Sequence, residues 1–192
     1  MKTYHRVSNI IAPYTGIEFV PDFVLEPACA RGTSVHLMIE GILQGFEVDV
    51  PEALKGYIDA WRAWVDSMGL PFLAADKIIE KRLYCDELGI TGQMDLIIGQ
   101  THAFDWKTSS KESLSWRLQG AAYQYLIEKE YGATQMTFVH LKPDGTYNEY
   151  RYHNQKENFE IFKQCLELYK FFEMDKTRKS KVKPLTKDQL ND

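Results

Sequence analysis

Between residues 77 and 107 the hydrophobic pattern leaves helical period, runs at strand period and then returns. That switch limits the folds open to the chain. Residues 77–84, 90–99 and 103–107 are short and rich in β-branched and aromatic side chains, with Gly89 and Gly99-Gln100 between them. Such runs predict three consecutive strands joined by tight turns. On the N-terminal side, Val35, Met38, Ile39 and Ile42 recur at three- and four-residue steps from about Ala28, with Gly45 as a stop. Pro51 opens a second helix with Leu54, Tyr57, Ile58, Trp61 and Val65 on one face, and Gly69-Leu70-Pro71 is expected to end it. Residues 1–27, punctuated by Pro13, Pro21 and Pro27, read as irregular. After the strands come a helix over 114–131, a strand over 135–141, a turn at Pro143-Asp144-Gly145, a strand over 146–152 and a helix over 156–174. The predicted order is helix, helix, three strands, helix, two strands, helix. It calls for a mixed α/β arrangement around one central sheet, without the regular alternation of a doubly wound fold.

Composition narrows the function classes. With 192 residues, 44% of them hydrophobic, the chain can bury a real core and is not a disordered polymer. No apolar run approaches the roughly 18 residues of a membrane span. Residues 1–10 lack the apolar centre of a secretory leader. Cys29, Cys85 and Cys165 form no CxxC pair. Neither a disulfide framework nor a zinc or iron–sulfur site is indicated, and all three are expected to be buried as small apolar residues in a reduced, cytoplasmic setting. No GxGxxG or GxxxxGK[ST] stretch supports nucleotide binding. The net charge of -4 argues weakly against coating nucleic acid by bulk charge. Residues 1–175 are expected to form one domain, and 176–192 a basic, flexible tail. That tail would either gather phosphates or simply remain solvated.

The chemistry concentrates in Gly92-Gln93-Met94-Asp95 and in Phe104-Asp105-Trp106-Lys107-Thr108-Ser109. Residues two apart in a strand share a face. Asp105 and Lys107 should therefore point one way and Phe104 and Trp106 the other. Asp95 should sit mid-strand, with Met94 and Leu96 facing away from it. If the two strands pair as a hairpin, Asp95 and Asp105 lie together with one ammonium beside them. Two adjacent carboxylates repel each other, and a hard cation such as Mg²⁺ or Mn²⁺ relieves that repulsion. Such a set could hydrolyse a phosphodiester. Each residue alone also has an ordinary reading. An acid two residues before a lysine is common by chance among 27 acidic residues. His36 could be buried in its helix, Gln119 and Tyr123 could be a packing pair, and Glu80 could pair with Lys81 or Arg82. Tyr57, Trp61 and Trp64 could stack bases, but their helical spacing favours core packing.

Five blocks in order change that balance. They are Arg31-Gly32-Thr33-Ser34-Val35-His36 with Glu40, Ile79-Glu80-Lys81-Arg82-Leu83, the Gly92–Asp95 block, the Asp105-x-Lys107-Thr108-Ser109 block, and Gln119-Gly120-Ala121-Ala122-Tyr123. Together they resemble the RecB-like, phage-type exonuclease branch of the PD-(D/E)XK nuclease superfamily. The resemblance implies a restriction-endonuclease-like core, a central mixed β-sheet flanked by helices. It implies that His36, Asp95, Asp105 and the backbone carbonyl of Trp106 bind Mg²⁺ or Mn²⁺, and that Lys107 acts on the attacking water. Gln119 and Tyr123 would steady the site and hold the strand, and Glu80 would join through water.

The activity implied is a metal-dependent exonuclease on linear double-stranded DNA, in phage or prophage recombination or repair. The partners implied are DNA, with room for a homo-oligomer and a single-strand annealing protein, and no membrane. A structure-specific or nicking endonuclease, and a non-catalytic DNA-binding module on the same fold, are the rival readings. Lys107, Arg31, Arg117 and the basic tail are the candidates for a positive channel.

Overall fold

The computed structural model describes residues 3–132 and 135–177. Strand β1 (His5–Arg6) leads into the short helix α1 (Val7–Ile11) and two 3-10 turns, Ala12–Tyr14 and Ile17–Phe19. Two long helices follow, α2 (Asp22–Leu43) and α3 (Glu52–Ala74). Next come β2 (Lys77–Cys85), β3 (Ile90–Ile98) and β4 (His102–Lys107), then α4 (Ser115–Tyr131), β5 (Gln135–Leu141), β6 (Tyr147–Tyr150) and α5 (Gln155–Thr177). No described helix is long and apolar enough to cross a membrane. Of the expected tail over 176–192, Lys176 and Thr177 belong to α5, and 178–192 lie outside the described residues.

The six strands form one mixed sheet. β2, β3 and β4 run antiparallel in succession, α4 carries the chain across to β5 parallel to β4, and β6 folds back on β5. β2 occupies one edge of β3 along its whole length. The other edge is shared, with β1 pairing at Ile90 and Thr91 and β4 at Leu96–Ile98. Helices cover both faces. Val7 and Ile10 of α1, Tyr123 and Leu126 of α4 and Phe162 of α5 bury one face with Met94, Ile97 and Phe138. Val35 and Ile39 of α2 and Ile58, Trp61 and Trp64 of α3 bury the other with Leu96, Phe104 and Trp106. Each such large apolar side chain contributes about 1.5–3 kcal/mol by leaving water.

Three expectations are corrected. The expected irregular stretch over 1–27 contains helix within its described part: Val7, Ile10 and Ile11 sit at one-turn spacing and are all buried. α2 begins at Asp22, with Pro21 preceding its first turn and Pro27 inside it. Pro27, in the second turn, lacks the N–H that would bond the Phe23 carbonyl, and the helix runs on through it. Gly69 does not end α3 but kinks it, at φ 62 and ψ -150, and the helix resumes to Ala74. Phe72 then packs edge-on against Trp64 at 5.6 Å. Cys29 is exposed, while Cys85 and Cys165 are buried. Six residues before buried Val35, Cys29 lies well round the helix from the core-facing stripe.

A fourth correction bears on the site. Met94 and Leu96 do not share a face. Met94 enters the core under α4, and Leu96 enters the core under α2 and α3. β2 changes in step, because Leu83 joins the first core and Ile79 packs against the second. The exchange happens at Glu80, whose φ is 51. A left-handed backbone at a non-glycine residue costs about 1–3 kcal/mol and clusters at functional sites. The register of β2 and β3, with Ile79 on Leu96 and Lys81 on Met94, sets Glu80 directly across from Asp95.

Candidate active site

The β3–β4 ladder stops at Leu96 and Phe104. One step further, in the same register, Asp95 and Asp105 face each other where the strands part. Separation frees backbone groups that must find other partners. The Trp106 N–H donates to Asp95 Oδ2 at 2.6 Å. The Trp106 carbonyl lies 3.0 Å from His36 Nε2, and His36 Nδ1 lies 3.2 Å from Asp95 Oδ1. Burial alone would lower the His36 pKa, but the Asp95 charge and hydrogen bond, with Asp105 beyond, raise it to about 9. Without a metal at neutral pH the ring is therefore an imidazolium, donating from both nitrogens to the groups around it.

His36, Glu80 and Asp95 each offer a ligand atom, and these atoms lie within 4.8 Å of one another. Such a group can hold a metal ion. Glu80 is hydrogen-bonded not to Lys81 or Arg82 but to Gln93, whose amide nitrogen donates to Oε2. Arg82 in turn donates to the Gln93 amide oxygen. Burial and then the Asp95 charge raise the Glu80 carboxyl above its usual value.

Asp105 is not a member of the trio. Its carboxylate turns to Lys107, with Nζ 2.7 Å from Oδ2. The contact is ionic rather than a well-angled hydrogen bond, and Oδ2 is buried with no hydrogen-bond partner. Burial raises the Asp105 pKa to about 6, against the opposing pull of the Lys107 charge. A buried carboxylate, paired with one ammonium and standing beside a His/Glu/Asp trio, fits a set built for a hard cation.

α4 supplies the wall behind Lys107. Nζ donates to Gln119 Oε1 at 2.9 Å, and the Gln119 amide nitrogen donates to the Tyr123 hydroxyl at 3.0 Å. Burial holds the Tyr123 phenol well above its ordinary pKa, so it stays neutral. Gly92 admits its ring, since a Cβ there would come within 2.8 Å of Tyr123 Cε1. The Lys107 ammonium also rests 5.0 Å from the centre of the Phe138 ring. The resulting cleft has a volume of about 640 Å³ and is lined by His36, Glu80, Asp95, Asp105, Lys107 and Gln119 among others.

All eight residues singled out in the sequence thus meet at this cleft or back it. Arg31 does not stand free in it: its Cζ lies 5.6 Å from the centre of the Tyr57 ring and its Nη2 3.4 Å from the Thr108 carbonyl. Tyr57, Trp61 and Trp64 are core residues. Gln93 and Arg82 were missed as functional residues. A signal existed, because a hairpin closed at Cys85 and Ile90 sets Arg82 across from Gln93 as it sets Glu80 across from Asp95.

Comparison with known proteins adds the family. The overall fold is similar to that of SSO0001, with a TM-score of 0.51 and 16% identity over 88% of this chain and 77% of that one. A structure from Eubacterium rectale, provisionally named an exonuclease, aligns at TM-score 0.49 and 12% identity over 98% and 93% of the two chains. The alkaline exonuclease LHK-Exo of Laribacter hongkongensis aligns at TM-score 0.44 and 13% identity over 92% and 94%. No curated protein sequence matches the chain. The sequence model of the PD-(D/E)XK nuclease superfamily matches residues 43–188. That match starts after His36 and runs through Glu80, both aspartates, Lys107 and the α4 pair. Covering most of the chain, it shows that the protein belongs to the PD-(D/E)XK nuclease superfamily.

Proposed function

We propose that the protein is a metal-dependent deoxyribonuclease, an exonuclease that degrades linear double-stranded DNA in phage or prophage recombination or repair. One observation carries the hydrolytic reading. Where β3 and β4 part, four potential ligand side chains and the Trp106 carbonyl, bonded to His36, converge beside a lysine held by Asp105, Gln119 and the Phe138 ring. The preference for DNA ends rests on the sequence resemblance.

His36, Glu80, Asp95, Asp105 and the Trp106 carbonyl would hold Mg²⁺ or Mn²⁺. When bound, the ion supplies positive charge to the phosphoryl oxygens and makes water a better nucleophile. The chain's own groups do the rest. Asp95 fixes the Trp106 N–H and so the direction of the neighbouring carbonyl. Asp105 and Gln119 hold the Lys107 ammonium at a set point. From there Nζ orients the attacking water and offsets charge growing on the phosphorane. Tyr123, neutral and buried, locks the Gln119 amide so that its oxygen faces the lysine.

One gel tests the reading. End-labelled linear duplex, single strand and covalently closed circle are each incubated with Mg²⁺, Mn²⁺ or EDTA. Loss of the linear duplex with either metal, an intact circle and no reaction in EDTA are expected. Cutting of the circle would replace the exonuclease reading with an endonuclease. No cutting of any substrate would overturn the nuclease.

A further inference from the structure

β1 and β2 lie on opposite edges of β3, and their side chains meet across it. Gly92 and Met94 face α4, so Thr91 and Gln93, which alternate with them, face the other way. Residues opposite one another on paired strands share a face. Arg6 is opposite Thr91 and Arg82 is opposite Gln93, so the two arginines leave the sheet on the same side. The neighbouring pair on the same diagonal shows that such side chains touch. Tyr4, two residues before Arg6, and Tyr84, two after Arg82, meet edge to face with ring centres 5.0 Å apart. One step further along the strands, Arg6 and Arg82 line a pocket of about 130 Å³ with Ser8, Thr91, Gln93 and Tyr123. Its lining holds no acid.

Both guanidiniums have donors to spare. Arg6 is exposed and, among the described residues, makes no hydrogen bond or ion pair. Arg82 gives Nη2 to the Gln93 amide oxygen and keeps the rest of its planar fork. Glu80, two residues along β2, is bonded to Gln93 rather than to Arg82. Two like charges held side by side without a carboxylate between them repel, and an anion relieves that repulsion. Forked donors of this kind fit a phosphodiester group.

The pocket opens into the cleft. β3 has no strand partner on one edge from Gly92 to Asp95. Through this gap Arg6, Ser8, Gln93 and Tyr123 line both the pocket and the cleft. Burial holds the Tyr123 phenol high and the Arg82 charge pulls against it, so the guanidinium is within electrostatic reach of the back wall of the cleft. Arg82 is joined to Glu80 of the metal-ligand trio through the Gln93 amide alone. Two hydrogen bonds and one amide span roughly 8 Å. About two nucleotides of one strand cover that length at 3.4 Å each. In a chain of net charge -4, such a positive pocket beside the cleft acts locally rather than through bulk charge.

We propose that Arg6 and Arg82 together hold one phosphate of the DNA backbone, about two nucleotides from the bond that is cut. The proposal rests on the nuclease reading of the cleft, and its test separates the two. DNA binding is measured by fluorescence anisotropy with a labelled duplex in EDTA, where neither cleavage nor the metal ligands enter. The wild type is compared with the R6A/R82A double variant and with R6E, which leaves the Arg82–Gln93–Glu80 chain in place. Both variants should melt like the wild type and bind about tenfold more weakly. For the double variant, the plot of log affinity against log salt should be shallower by about one, as expected for one lost phosphate contact. R6E should bind Mn²⁺ as the wild type does, which separates the subsite from the metal centre. Unchanged affinity and salt slope in both variants overturn the subsite even if the enzyme cleaves DNA. A slope shallower by about two in the double variant assigns the arginines to separate phosphates and overturns the shared subsite. Weaker DNA binding with a slope shallower by one, in a protein that cuts nothing, leaves the subsite standing and removes the nuclease.

Discussion

β4 and the β2–β3 hairpin carry the two halves of the candidate site, and they are built differently. β4 alternates strictly. Asp105 and Lys107 face α4, Phe104 and Trp106 enter the core under α2 and α3, and β5 supports the strand through Lys107. The hairpin abandons alternation at Glu80 and Asp95, where both strands exchange faces and Glu80 takes a left-handed backbone. The regular half positions the lysine, and the irregular half gathers the acids. A strand paired on both edges can present only every second side chain to one face. The exchange allows Glu80 and Asp95 to join His36 from neighbouring strands.

Substitutions in the two halves should therefore fail in different ways. The largest effect belongs to β4. Lys107→Ala should lower DNA hydrolysis by about 10²–10⁴-fold at saturating metal while leaving Mn²⁺ affinity nearly unchanged. Rate assays alongside a metal titration check it, and equal loss of both would erase the contrast. In the hairpin, Gln93→Ala releases Glu80 from its amide and should weaken metal affinity or activity by about 10–100-fold, as loss of a supporting hydrogen bond to a ligand does. An unaltered Mn²⁺ isotherm would show that Gln93 does not position Glu80.

A smaller effect lies where the halves touch α4. Gly92→Ala forces a methyl into the Tyr123 ring and should cost about 1–3 kcal/mol of stability in a urea melt. A neutral result would mean that the ring moves freely. The smallest effect is a gain. The Asp105 pKa, raised from 3.8 to about 6, means that folding disfavours the ionised carboxyl. Without metal, the protein should lose stability as pH rises from about 4 through 6. Asp105→Asn removes that loss. Its melting temperature in EDTA should exceed the wild type's by a few degrees at pH 7.5 and match it at pH 4. A variant less stable at pH 7.5 would show that the Lys107 pair outweighs the burial cost.

The same contrast explains what was legible beforehand. The shared face of Asp105 and Lys107 follows from period two, because β4 has neither a bulge nor a break. That Gln119 and Tyr123 share a face follows from helix spacing, whereas the contact of Gln119 with Lys107 depends on how α4 lies on the sheet. Strict alternation through Asp95 would put Met94 and Leu96 on one face, and no residue type in Ile79-Glu80-Lys81 announces the positive φ that breaks it. The N-terminal elements were hidden by three prolines. Pro21 borders a helix and Pro27 is absorbed by one, while Val7, Ile10 and Ile11 form too short a pattern to outweigh them. The exposure of Cys29 follows from its place on α2, which residue type does not carry.

The central claim is that the parting of β3 and β4 makes a metal centre. Calorimetric titration of the metal-free protein with Mn²⁺ tests it most directly, run beside Asp95→Ala. The account predicts a saturable isotherm for the wild type and its loss in the variant, with both proteins folded. No heat of binding from the wild type at millimolar Mn²⁺, or an isotherm that Asp95→Ala leaves unchanged, would contradict it.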